Sequence, residues 1–323
     1  MRSLLLHVKA ADDLREDLPA KRDYDLIMRI MENQFKAAKW EIPSDFLEFS
    51  HYERVVRGLD WTSSPGYPYM RAATNNGLLF GVVNGVPSQE KLVYYWNIVK
   101  TQIQNKTSDP IRAFIKAEPL KKKKVETKQY RLISSVSIVD QIIDHMLFGD
   151  MNKKLIENFN DLPSKIGWSP YKGGYRSIPT RTYMAIDKSK WDWTVKLWMI
   201  EMELDLRIRL CTNMNEEWEQ LAIWRYEELY HNPEFIVSHG LTFRQKAPGV
   251  MKSGCVNTIS TNSILQVILH IRTCLETNQP IYDIITMGDD TLQRPPENVE
   301  TYVDKLSEYC LVKHHIMANE FAG

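Results

Sequence analysis

Apolar residues recur at helical spacing over residues 22–39, where Leu26, Ile27, Ile30, Met31 and Phe35 share one face. The same period returns over 138–160, with Ile138, Ile142, Met146 and Leu147 along one stripe. His145 lies near that stripe and reads as a core-boundary histidine rather than a ligand. Residues 193–210 and 213–230 also carry a helical pattern, the second rich in Trp and Glu and structural in character. A long and mostly buried helix is expected after Ser253, and another over 297–312 (Val299, Tyr302, Val303, Leu306, Tyr309). Strand-like runs flank residues 116–129, lead into Asp187, and surround Gly288, where Ile284, Ile285, Thr286 and Met287 precede the glycine and Thr291 and Leu292 follow it. A further strand is expected after Lys313.

Chemistry collects where these patterns break. Gly288-Asp289-Asp290 joins two short strands, which puts adjacent carboxylates on a tight turn. Such a pair repels unless a cation sits beside it, and Mg²⁺ favours one or two carboxylates plus substrate phosphates. A solvated turn would use the same three residues. Asp187 closes an apolar strand and Asp192 follows five residues on; an acid at a buried strand end is costly unless paired or metal-bound. Residues 59–70 (LDWTSSPGYPYM) form a rigid irregular loop. It either presents Ser63, Ser64 and its amides to a phosphate or is a structural turn. Lys116, Lys121, Lys122, Lys123, Lys124, Lys128 and Arg131 crowd what reads as the tip of a long hairpin, either a solvated loop or a funnel for phosphates. Ser253 and Gly254 stand at a loop-to-helix junction. Thr258 and Asn262, four apart, share a face of that helix, as internal partners or as a ligand-facing stripe.

Composition narrows the class. The chain has 323 residues, 43% hydrophobic and 25% charged, with formal net charge zero. That is a soluble globular profile, large enough for two subdomains sharing a core. Nucleic-acid contact would therefore need a local basic surface. Cys211, Cys255, Cys274 and Cys310 are too scattered for a zinc site or a disulfide framework, which fits a reducing compartment. No stretch approaches the apolar length of a transmembrane helix, and the opening residues regain charge too soon for a signal peptide.

Taken in order, these segments resemble the RNA-dependent RNA polymerases of positive-strand RNA viruses. Asp187-x4-Asp192 looks like motif A of that family, Ser253-Gly254-x3-Thr258-x3-Asn262 like motif B, and Gly288-Asp289-Asp290 like motif C. Lys116, Lys124 and Arg131 match the cationic positions of motif F. Ser63-Ser64-Pro65-Gly66 resembles the template-entry loop, Lys313 the lysine of motif D, and the final EFAG the opening of motif E. FIKAEP, YRLISSVSIVDQ and EFAG look most like the sobemovirus, luteovirus-like and barnavirus polymerases. The first fifty-odd residues match nothing in the pattern.

The resemblance implies an α+β right-hand fold with an antiparallel palm sheet backed by helices. Fingers would cover 1–148 with an insertion at 226–246, palm 149–225 and 247–323, and the thumb would be absent. It implies RNA synthesis from ribonucleoside triphosphates by two Mg²⁺ ions, with Mn²⁺ as a substitute. Asp187 and Asp289 would bridge the metals with Asp290 in support. Asp192 and Asn262 would read the ribose 2′-hydroxyl, positioned by Ser253 and Thr258. Lys116, Lys124 and Arg131 would neutralise the triphosphate, and Lys313 would protonate the leaving pyrophosphate. Implied partners are template and nascent RNA and other viral replication proteins, at a membrane-associated complex in the host cytoplasm. Two rivals stand beside this reading. A non-catalytic RNA-binding scaffold is opposed by the intact acids, and a reverse transcriptase by Met287-Gly288 before the acid pair and by an acid, Asp192, where such enzymes carry an aromatic sugar gate.

Overall fold

The computed structural model describes residues 2–179, 181 and 183–322. Among the described residues eight strands form two four-stranded sheets. One is built from β1 (Ile111–Ile115), β2 (Leu132–Ser135), β4 (Glu234–Ile236) and β5 (Thr242–Arg244), in the order β2-β1-β4-β5. The other contains β3 (Met184–Lys188), β6 (Ile284–Met287), β7 (Asp290–Gln293) and β8 (Val312–Ile316), in the order β6-β7-β3-β8, antiparallel throughout.

The helix Thr258–Glu276 lies behind the second sheet, and every side chain from Ser260 to Cys274 is buried. A helix buried on all sides must satisfy its polar groups internally. Thr261 donates to Glu203 (3.2 Å), Thr273 to the carbonyl of Leu269 (2.7 Å), and His270 meets Tyr302 (2.8 Å). Lys21–Gln34 buries Ile27 and Met31 and continues to a buried Phe35, as its spacing predicts, while Leu26 and Ile30 are only partly buried and Met28 is buried in addition.

Ile138–Glu157 is a single helix opened by Ser137, whose hydroxyl accepts from the amide of Asp140 (3.1 Å). It contains residues 148 and 149, and Glu216–Tyr226 contains residues 225 and 226, so two of the three expected domain boundaries fall inside continuous helices, while the third, at 246/247, falls in a loop. Arg225 joins these two helices: it donates to Asp140 at 2.9 Å and to Asp144 at 2.7 Å with all three groups buried. Neither acid lies on the apolar stripe that spacing marks along this helix. Burial lifts the Asp144 carboxyl to about 6, although Arg225 works against the rise.

Several elements differ from expectation in detail. The basic hairpin tip is folded into a short helix, Lys122–Glu126, between short strands rather than continuing a long hairpin. The 213–230 helix ends in a π turn, Glu227–His231. Residues 253–257 form turns, so the long helix begins at Thr258. The N-terminal segment ties the two sheets' regions together. The Ser3 hydroxyl donates to the carbonyl of Tyr130 (2.7 Å), Lys190 to that of Leu6 (3.0 Å), and Lys196 to that of Ala11 (2.8 Å). Among the described residues no helix is long and apolar enough to cross a membrane. Gly323, the last residue of EFAG, lies outside the described residues.

Candidate active site

The β6–β7 hairpin turns on Gly288 and Asp289, with Met287 paired to Asp290. Of the two turn residues only Gly288 has a positive φ, +63°, the pattern of a tight hairpin turn that favours glycine first. The buried helix behind fixes this turn. The Gly288 amide donates to the Ser263 hydroxyl (2.8 Å), and the Thr286 hydroxyl donates to the Ser263 carbonyl (2.8 Å). Ser263 was not singled out by its spacing, because a serine in an apolar helix looks like any internal partner.

β3 lies against β7, with Ile186 opposite Thr291, so Asp187 and Asp290 stand next to each other on adjacent strands. Both line a cleft of about 330 Å³ together with His314 and Phe321. On its other side β3 pairs with β8, where Asp187 faces His314 and Lys188 faces Val312, leaving Lys313 as the extra residue of a bulge. A bulge re-aims its side chain, and Lys313 Nζ donates to Asp187 Oδ2. His314 Nδ1 lies 3.6 Å from the same oxygen.

Lys188 points the opposite way, into the interior, and donates to the Thr291 hydroxyl at 3.2 Å. Burial depresses its ammonium, while Cys310 and then Asp289, Asp290 and Asp187 act to raise it. Burial first, and then the charge of Asp289, lifts the Asp290 carboxyl; Lys188 lowers it and Asp187 raises it. The three acids therefore share one electrostatic neighbourhood. Among the described residues, however, no three His, Cys, Asp or Glu side chains are gathered tightly enough to hold an ion. In this arrangement Asp187 is engaged by Lys313. The donor set still suits Mg²⁺, being all hard oxygens whose mutual repulsion a cation would relieve.

Asp192 and Asn262 meet. Asn262 Nδ2 donates to Asp192 Oδ1 at 3.0 Å, and Asn262 Oδ1 accepts from Trp191 Nε1 at 2.9 Å, which fixes the amide's orientation. Burial pushes the Asp192 carboxyl up to about 6; the Asn262 bond lowers it, Asp289 raises it, and Arg131 and Lys252 lower it.

Ser253 and Thr258 do not touch this pair. Ser253 Oγ accepts from the amide of Ser134 on β2 (3.1 Å), and Thr258 donates to the carbonyls of Lys252 (2.7 Å) and Cys255 (2.8 Å). Their hydrogen bonds go to β2 and to the loop that precedes the helix, not directly to Asp192 or Asn262. Lys252, which spacing does not single out within its basic Gly/Pro-containing loop (residues 240–252), is fully buried, and burial pulls its ammonium down to about 7 against Cys255 and Asp192.

The cationic residues divide. Lys116 and Arg131 flank Glu118 at 3.4 and 3.3 Å, and Arg131 is close enough to act on Asp192. Lys124 projects from the exposed tip helix and, among the described residues, forms no ion pair. In the loop 60–66, the Ser63 hydroxyl donates to Asp60 (2.6 Å) and the Gly66 amide to Ser64 (3.4 Å). Pro65 accepts from the amide of Ile138 (2.8 Å), which pins the loop to the start of a buried helix.

The fold is that of a viral polymerase. A solved Sicinivirus 3Dpol RNA dependent RNA polymerase superposes with a TM-score of 0.73 at 18% identity, over 95% of this chain and 65% of that one. The Viral RNA-dependent RNA polymerase family matches residues 48–311, and the chain belongs to that family. Protein P1-P2 of Potato leafroll virus is 32% identical over 225 residues, 62% of this chain and 20% of its own length. Replicase polyprotein P2AB of Southern cowpea mosaic virus is 30% identical over 267 residues, 77% of this chain and 27% of that protein. The RNA-directed RNA polymerase of Mushroom bacilliform virus is 26% identical over 297 residues, 84% of this chain and 71% of that protein. The matched region thus spans about a fifth to a quarter of the two longer relatives. The family as a whole implies divalent-metal-dependent catalysis.

Proposed function

We propose that this chain carries out template-directed RNA synthesis, joining ribonucleotides from their triphosphates to an RNA 3′-hydroxyl. The observation that carries the reading is the Asp192–Asn262 pair (3.0 Å), whose carboxylate feels the charge of Asp289 in the neighbouring turn. A sugar reader beside a set of hard-oxygen acids is what selective nucleotidyl transfer needs.

In this reading Asp187, Asp289 and Asp290 would hold two Mg²⁺ ions, for which Mn²⁺ could substitute. The bound ions supply Lewis-acid stabilisation of the attacking and leaving oxygens. Asp192 accepts a hydrogen bond from the 2′-hydroxyl and Asn262 keeps it oriented to do so. Arg131 and Lys116, which share Glu118 as a partner, neutralise the triphosphate. Lys124, at the exposed tip, meets the phosphate backbone rather than the reacting centre. Lys313, paired here with Asp187, would protonate the leaving pyrophosphate. The loop 63–66 guides template entry. The β1-β2-β4-β5 sheet belongs to the fingers and the other sheet to the palm. Template and nascent RNA and other viral replication proteins are the partners, with the membrane-associated complex in the host cytoplasm as the setting.

The test is primer extension by the full-length protein on a homopolymer template with Mg²⁺, comparing ribo- and deoxyribonucleoside triphosphates. Ribonucleotide incorporation that Asp289→Ala abolishes is expected. Equal use of both sugars would support a reverse transcriptase instead. RNA binding with no incorporation would support a scaffold.

A further inference from the structure

The loop that leads into the long buried helix is strained, and its strain is directed at Asp192. Val250 has a φ of +60°, a conformation that a β-branched residue adopts only under constraint. Gly249 before it has a φ of +98°, and a Cβ there would meet the Val195 carbonyl at 2.5 Å. The kink presses the loop onto the chain just after Asp192. The Val250 amide donates to the Val195 carbonyl (2.7 Å), and the Met251 amide donates to the carbonyl of Asp192 itself (2.7 Å).

Lys252 closes the kink. Its ammonium donates to the carbonyls of Gly249 (3.0 Å) and Val250 (2.6 Å), the two residues with positive φ. It is fully buried, lies 5.4 Å from the Tyr230 ring and 5.9 Å from that of Phe235, and among the described residues forms no ion pair. A buried cation without an acid partner is expensive. A hydrophobic side chain would be the cheaper filling for this site unless the bonds to the kink are needed. The Lys252 carbonyl also accepts from Thr258, the first residue of the helix that carries Asn262 one turn later. One residue therefore indexes both halves of the sugar-reading pair: Asp192 through the Met251 amide, and Asn262 through Thr258.

We infer that Lys252 is a positioning residue for ribose selection, a clasp that holds the 249–251 kink in its strained form and so sets Asp192 against Asn262. The inference rests on the polymerase reading for its consequence, but the clasp can be observed without activity.

Lys252→Met keeps most of the side-chain volume and removes the charge and the donors. In the full-length protein it should lower the ratio of kcat/KM for ribo- over deoxyribonucleotides by about tenfold, the scale of one charge-assisted hydrogen bond. It should also speed hydrogen exchange of the Val250 and Met251 amides. Adding Val250→Gly should restore much of both, because glycine takes the positive φ without side-chain strain. A general loss of stability would not be mended by a glycine. If Lys252→Met cannot be purified, Gly249→Ala opens the same contact with the lysine in place and should show both effects. Unchanged amide protection in the methionine variant, unchanged selectivity, or a loss deepened by Val250→Gly would each overturn the inference. A wild-type protein that incorporates no ribonucleotide would overturn the polymerase reading, while the exchange measurement would still decide the clasp.

Discussion

Replacing Asp192 by asparagine should make the protein more stable and less able to choose its sugar. The carboxyl is raised from an ordinary 3.8 to about 6, first by burial and then, against the Asn262 bond, by Asp289. An acid with a raised folded-state pKa costs nothing where both states are protonated, below about pH 4. The cost grows as pH rises and is complete once the folded form ionises, above about pH 6. Worked through, the difference is about 3 kcal/mol at pH 7.5 and about half that at pH 5. Asparagine is neutral, fills the same space, and its carbonyl can still accept from Asn262 Nδ2. The variant should therefore gain about 2–3 kcal/mol at pH 7.5 and clearly less at pH 5. Denaturation of both proteins at the two pH values reads this directly. The ratio of ribo- to deoxyribonucleotide incorporation, measured on the same preparations, should fall, because the carboxylate acceptor is gone. A stability difference that does not change with pH, or an asparagine variant less stable at pH 7.5, would refute the account of Asp192 as a carboxylate held at a cost for function.

Three further outcomes are expected. Asn262→Asp places a second carboxylate at the 3.0 Å contact with Asp192 and removes its donor, so sugar discrimination should fall more than Mg²⁺ affinity does; the reverse order in parallel kinetic and metal titrations would contradict the assignment. Lys313→Met frees Asp187 from its ion pair and should tighten Mg²⁺ binding in calorimetry while slowing turnover; weaker metal binding would mean that the lysine supports the site instead of competing for it. Arg225→Met leaves Asp140 and Asp144 buried without their cation, which should cost about 3–5 kcal/mol of stability in denaturant titrations. A near-neutral result there would show that water reaches these acids.

What the chain determined by itself was chemistry that is local in sequence. Adjacent acids after a glycine require a tight turn, and the turn forms with Gly288 at positive φ. Asp187 sits at the end of an apolar run, and that run becomes β3, with Asp192 in the short helix that follows. Periodicity located the Lys21–Gln34, Ile138–Glu157 and Thr258–Glu276 helices because burial of one face, or of all faces, writes itself into residue spacing. The order of these segments was enough to place the chain in its family.

Only the tertiary structure decided which groups share a charge or a hydrogen bond across long separations. No spacing rule links Arg225 to Asp140 and Asp144, or Ser263 to the Gly288 amide. The bulge that aims Lys313 at Asp187 depends on register between strands far apart in the chain. The basic run looked uniform, yet the fold sends Arg131 toward Asp192 and Lys124 out to the tip. Lys252 was invisible for the same reason. A lysine in a Gly/Pro-containing loop reads as solvated until the fold seals it against Tyr230 and Phe235 and leaves its ammonium two strained carbonyls to bind.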